Sequence, residues 1–122
     1  EYPDLIRAVI SQARKYNARP ILIEDAVSGI ALIQQLRRET NGLYIIKVKP
    51  DKDKVTRVNN ASVTIEAGKV FLPKKAPWLE EFQKELLAFP AGKHDDQVDS
   101  ISQFLNWRTN RKTMTVRILK GF

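Results

Sequence analysis

Between the turn-forming stretch Asn17 to Pro20 and Ser28 stands Ile21-Leu22-Ile23, a wholly apolar triplet that stops at Glu24-Asp25. A short, continuous apolar run cut off by turn signals fits a strand buried on both faces, which in practice means a parallel sheet. Its neighbours agree. Upstream, Ile6, Val9, Ile10 and Ala13 recur at helical spacing behind Pro3, a residue that fits a first helical turn because its missing N–H costs nothing there. Downstream, Ser28 is the expected N-cap of a second helix with Ile30, Ile33 and Leu36 on one side, Arg37 and Arg38 near its end and Asn41-Gly42 as its stop. Leu43 to Val48 reads as a second strand, ended by Lys49-Pro50. Helix, strand, helix, strand in that order predicts parallel pairing through a right-handed crossover. The expected fold class is therefore α/β, parallel strands with helices packed on the sheet.

The second half is helical with two expected strands. Lys54 to Glu66 predicts a helix, with Val63-Thr64-Ile65 leaving a strand as the competing assignment. Lys69 to Leu72 reads as a short strand before the turn-rich Pro73-Lys74-Lys75. Pro77 opens a helix with Leu79, Phe82 and Leu86 inward, which Phe89-Pro90-Ala91-Gly92 ends. A last helix starts around Asp95, with Val98, Ile101 and Leu105 on one face. From Thr113, the alternation of Met114, Val116 and Ile118 with Thr115, Arg117 and Leu119 predicts a terminal strand. The 122 residues fit one domain, with a core over 3–108 and a tail over 109–122. The first residue is Glu1 and the single Met is Met114, which reads as a segment of something longer.

The chain has no cysteine, so disulfides and thiolate metal sites are excluded. Any metal must be held by carboxylates, with or without His94, the one histidine, and a carboxylate set points to hard cations such as Mg2+ or Mn2+ rather than structural zinc. No apolar run approaches the ~20 residues that cross a bilayer. The net charge of +7 favours a polyanionic partner. Lys47, Lys49, Lys52, Lys54 and Arg57 flank the end of the second strand, and Lys74, Lys75 and Lys93 lie in loops. Their contacts to DNA would be to phosphates and independent of sequence; the alternative is a solvated basic surface. Trp78 and Trp107 read as packing residues rather than base-stacking platforms.

Two acidic groups stand out. Glu24-Asp25 ends a buried strand, the place where ligands and metals bind open α/β sheets, although the same residues can simply end the strand. His94-Asp95-Asp96-Gln97-Val98-Asp99 puts three carboxylates at a helix start. Spacings of three and four let Asp96 or Asp95 share a face with Asp99. Capping accounts for one Asp and the helix dipole for a second, at ~0.3–1 kcal/mol each. Asp99, a turn further in, is covered by neither, and a divalent cation would relieve the repulsion. Two-metal phosphodiester cleavage needs several carboxylates converging from separate elements, and a strand-end acid with a late-helix acid is one way to supply them.

The ordered set Ile23-Glu24-Asp25-Ala26-Val27-Ser28-Gly29, Lys54-Val55-Thr56-Arg57, Gly68-Lys69-Val70-Phe71-Leu72-Pro73, Ala76-Pro77-Trp78-Leu79-Glu80-Glu81-Phe82 and Phe89-Pro90 with His94 to Asp99 resembles the carboxy-terminal nuclease domain of phage and prophage terminase large subunits. The resemblance spans about Ile21 to Phe104. It implies a ribonuclease H-like endonuclease that cuts concatemeric double-stranded viral DNA during packaging, using Mg2+ or Mn2+ in a two-metal site. Glu24 matches the family's second catalytic acid, with Asp25 adjacent, and the Asp95-Asp96-Gln97-Val98-Asp99 run matches the third. Asp96 and Asp99 are the favoured ligands and Asp95 the favoured N-cap, with the assignment within the run open. Of the basic cluster, Lys49, Lys52, Lys54 and Arg57 are the expected DNA contacts. The implied partners are DNA, an amino-terminal packaging ATPase, the small terminase subunit and the portal, in the cytoplasm of a bacterial host.

The sequence departs from that pattern in two ways. The family's first catalytic acid lies on a strand upstream of the first helix, and Asp4 is no substitute for it. No Gly-rich Walker loop occurs either. The expectation is a partial metal site with weak or absent cutting. Two other readings stay open: a non-catalytic DNA-binding or packaging module, and another ribonuclease H-like enzyme of the resolvase or transposase type.

Overall fold

The computed structural model describes the backbone of residues 2–50 and 52–120 and the side chains of 3–50 and 52–110. The chain divides into two compact units, Glu1–Pro50 and Asp51–Phe122.

In the first unit the expected order holds: α1 (Tyr2–Lys15), β1 (Ile21–Glu24), α2 (Val27–Glu39) and β2 (Ile45–Val48). The strands pair in parallel, with Ile21 opposite Ile45 and Glu24 opposite Val48. N–H of Ile21 donates to the Tyr44 carbonyl at 2.7 Å and that of Asp25 to the Val48 carbonyl at 2.8 Å, so the ladder holds both ends of β1. Ile6, Ile23, Ile33 and Leu36 form the buried core, with Val9, Ile10, Ile21, Leu32, Leu43 and Ile45 packed around it. α1 ends on Asn17 at φ 49°. Ala18 N–H reaches the Ala13 carbonyl at 2.9 Å and Asn17 N–H that of Arg14 at 3.3 Å, the paired bonds of a Schellman stop.

α2 departs from expectation at its start. Its N-cap is Ala26, with no side-chain cap, and Ser28 lies inside the first turn. The chain turns straight from β1 into the helix: Ala26 N–H bonds to the Glu24 carbonyl at 2.9 Å, and Ile30 N–H to the Ala26 carbonyl at 2.8 Å. Ile30, expected inward, is 42% exposed, and Leu32 packs on the core instead.

The second unit consists of α3 (Lys54–Glu66), α4 (Leu79–Ala88) and α5 (Asp96–Lys120), with α5 packed on the other two. Asp53 caps α3, its carboxylate accepting from Thr56 N–H at 2.8 Å and from the Thr56 hydroxyl at 3.0 Å. That settles the competition at Val63-Thr64-Ile65 for helix, and Val63 lies largely exposed on the outer face. α3 stops in a second Schellman motif, with Gly68 at φ 73°. Gly68 N–H bonds to the Ile65 carbonyl at 3.0 Å and Lys69 N–H to that of Thr64 at 3.4 Å.

Two expected strands are absent. Residues 69–72 are irregular: Phe71 is 87% exposed, and no strand pairs with this segment among the described residues. Without a neighbour to complete the ladder, β-propensity alone does not make a strand. The terminal strand from Thr113 is instead the continuation of α5. Extending an existing helix costs far less than starting a new element, and this outweighs the two-residue alternation.

Candidate metal and DNA-processing site

Glu24 occupies the last position of β1, and its side chain is exposed. Gly29 places it there. A Cβ on Gly29 would lie 1.9 Å from the Glu24 carbonyl oxygen and 3.4 Å from Ile23 Cγ2, so α2 packs against the strand end at a distance only glycine permits. Neither Glu24 nor the partly buried Asp25 makes a side-chain hydrogen bond or ion pair among the described residues.

The acidic run at the start of α5 is divided between different partners. Asp95 faces Lys54, whose Nζ lies 3.1 and 3.2 Å from its two carboxylate oxygens. Asp99 accepts from Nη2 of Arg57 at 2.5 Å in a largely buried pair. Asp96, between them, is exposed and makes no ion pair among the described residues. The Lys54 ammonium is held above the ordinary lysine range, first by its hydrogen bond to Asp95 and then by the charges of Asp95, Asp99 and Asp96.

Asp95 directly precedes α5, as the N-cap assignment required, yet the cap itself comes from another helix. Glu85 of α4 accepts from Gln97 N–H at 2.6 Å and Val98 N–H at 2.9 Å, and takes Gln97 Nε2 at 3.0 Å on its other oxygen. Nothing near Glu85 in sequence signals this role, because the helix it caps begins eleven positions later. Asp53 was legible in principle, since an Asp three residues ahead of a Thr at a helix start is a capping pattern.

The four expected DNA-contacting residues separate. Lys49 and Lys52 are exposed, Lys54 is paired but half exposed, and Arg57 is only 9% exposed. The Arg57 guanidinium also donates through Nη1 to the Lys52 carbonyl. Two open clefts flank Asp96. One, of about 640 Å³, carries Lys84, Lys93 and His94; the other, of about 480 Å³, is lined by Leu72, Trp78, Phe82, Ile101 and Phe104. Trp78, 46% exposed, meets Phe82 edge to face at 6.1 Å, and Phe104 lies 6.3 Å from Trp107.

Residues 2–107 match the family described as the terminase RNaseH-like domain. The chain belongs to that family. Its two-stranded parallel sheet with packed helices is consistent with a piece of the α/β fold the family name implies, and the match supports a terminase domain of nuclease type. No curated protein and no solved structure matches the chain. No described helix is long and apolar enough to cross a membrane. The exposed carboxylates of Glu24 and Asp96 are hard oxygen donors suited to Mg2+ or Mn2+. Among the described residues no three His, Asp or Glu side chains form a metal cage, so each of these acids is a separate donor within its own unit.

Proposed function

We propose that this terminase domain is the metal-dependent endonuclease of a viral DNA-packaging enzyme, cutting concatemeric double-stranded DNA. The observation that carries the reading is the partition of the acidic run: in a chain of the terminase family, Asp96 stays exposed and uncommitted while the acids beside it are tied to cations. A carboxylate left without protein partners beside two that are neutralised is suited to a divalent cation. Within the first unit, exposed Glu24 is the acid proposed for this chemistry, with Asp25 next to it.

Bound Mg2+ or Mn2+ would supply a hydroxide nucleophile at neutral pH and stabilise the leaving oxygen. The protein's own part is to hold the carboxylates and to bring the DNA backbone to them. Exposed Lys49 and Lys52 hold phosphates without reading sequence, as does Lys93 in the cleft beside Asp96. The packaging ATPase, the small terminase subunit and the portal are the partners this role requires.

The test is plasmid cleavage with Mg2+ or Mn2+ by the intact terminase subunit carrying Glu24→Gln or Asp96→Asn. Each should reduce cutting by at least a hundredfold while leaving plasmid binding within a few fold. Full cutting by both variants would leave a DNA-binding role without catalysis at these residues.

A further inference from the structure

The segment Lys54-Val55-Thr56-Arg57 has no part in the chemistry proposed above, yet it makes two cross-helix ion pairs. Lys54 and Arg57, three apart on α3, meet Asp95 and Asp99, four apart at the start of α5. The two pairs differ in kind. Lys54–Asp95 is half exposed, and such pairs contribute little to stability. Arg57–Asp99 is largely buried, with side chains 11% and 20% exposed.

Around Arg57 the packing is tight. Ala61, one turn along α3, is buried, and Val98 and Ser102 are buried on α5. Asn106 Nδ2 donates to the Arg57 carbonyl at 3.0 Å, about two turns beyond Asp99. The Arg57 Nε is buried with no acceptor among the described residues. A buried guanidinium with an unmatched donor is a poor device for stability alone, since an apolar pair of similar volume commonly does as well or better. It is a good device for geometry, because the planar guanidinium, anchored through Nη1 on the Lys52 carbonyl, presents Nη2 to Asp99 from a fixed direction.

We infer that Arg57 is a positioning residue for Asp96, gripping Asp99 one turn along and so fixing the rotation and reach of the first turn of α5. Asp96 is presented from a helix start held on two sides: by Arg57 through Asp99, and by the Glu85 carboxylate on the N–H groups of Gln97 and Val98. The inference rests on the reading of Asp96 as a cation ligand. Groups that orient a ligand from behind typically change metal affinity 10–100-fold when lost.

The experiment is a Mn2+ titration, followed by the electron paramagnetic resonance of the free ion, on the wild-type chain and on Asp96→Asn, Arg57→Lys and the apolar exchange Arg57→Met with Asp99→Met. Thermal unfolding of each runs in parallel. Asp96→Asn should remove the tightest Mn2+ site. The Met pair should keep the melting temperature within a few degrees but weaken Mn2+ binding about tenfold. Arg57→Lys, which keeps the charge and loses the fork, should weaken it severalfold. Wild-type affinity in the folded Met pair overturns the inference, and if that pair does not fold, wild-type affinity in Arg57→Lys does so. Mn2+ binding that is absent from the wild type, or unchanged in Asp96→Asn, sinks instead the reading on which the inference stands.

Discussion

Gly29 stands so close to the Glu24 carbonyl that a Cβ would lie 1.9 Å from that oxygen. The obstructing atom belongs to the backbone, so no side-chain rotation relieves the clash. Gly29→Ala must push α2 away from the end of β1 or distort the strand end that carries Glu24. The expected cost is about 1–3 kcal/mol, the range of an overpacked core site. Urea unfolding followed by circular dichroism measures it, and the amide shifts of Glu24 and Asp25 should move together. An alanine variant as stable as the parent would mean that α2 can shift from the strand end without cost.

Two helix stops of the same kind carry different residues, and they predict opposite signs. Asn17 and Gly68 both adopt positive φ at the position after the cap, each closing the paired bonds of a Schellman motif. A Cβ in this region costs roughly 1–2 kcal/mol, so Gly68→Ala should lower stability by about that amount, although the space around Gly68 is open. Asn17→Gly should be neutral or raise stability by up to ~1 kcal/mol. Paired thermal melts of the two variants decide the matter; equal effects of one sign would show that φ is not what limits these positions.

How much of this was legible from residues alone depends on the range of the interactions. The Ile21–Ile23 triplet and the apolar spacing of α1 and α2 specify parallel strands and packed helices, because these are local patterns read against a fixed period. Ser28 misled because the turn from Glu24 into α2 is made by backbone bonds and by the space at Gly29, which no capping rule contains. Residues 69–72 and the Thr113 alternation misled because a strand exists only with a partner, and sequence spacing does not reveal a partner's absence. At the site, the sequence shows Asp95, Asp96 and Asp99 gathered at one helix start but not their division among partners. Which of Asp95, Asp96 and Asp99 stays free depends on Lys54 and Arg57, some forty residues away and both read as DNA contacts. Arg57 left a faint mark, four positions before buried Ala61 on what proves to be the inner face of α3.

Acid should loosen α3 from its first turn. Asp53 titrates below the ordinary aspartate range, first because Thr56 N–H donates to its charged carboxylate and next because the Thr56 hydroxyl does. A group whose folded-state value is lowered stabilises at pH above its unfolded value, and that contribution is lost as pH falls through the folded one. The cap should therefore be intact at neutral pH and fade below the ordinary aspartate range. Asp53→Asn keeps an acceptor that does not titrate there, so the acid dependence of stability should become shallower while neutral stability changes little. Melting temperature against pH for both chains is the measurement, and parallel curves would exclude Asp53 as a source of acid sensitivity.

The cap on α5 comes from α4, so removing it tests packing and site together. Glu85 takes the N–H groups of Gln97 and Val98, which would otherwise lack partners at a helix start where Val98 itself is buried. Hydrogen bonds to a charged acceptor contribute about 1.5–3 kcal/mol, and the carboxylate also sits favourably at the positive end of the helix. Glu85→Ala should therefore cost roughly 2 kcal/mol, and amide exchange at Gln97 and Val98 should speed up well beyond that of residues in the middle of the helix. Glu85→Gln keeps one acceptor oxygen but not the charge, and should fall between alanine and wild type. Because the same turn carries Asp96, Mn2+ affinity should fall in that order too. Alanine-level exchange at both amides with wild-type Mn2+ affinity would show that the first turn of α5 can fray without disturbing the carboxylate it presents.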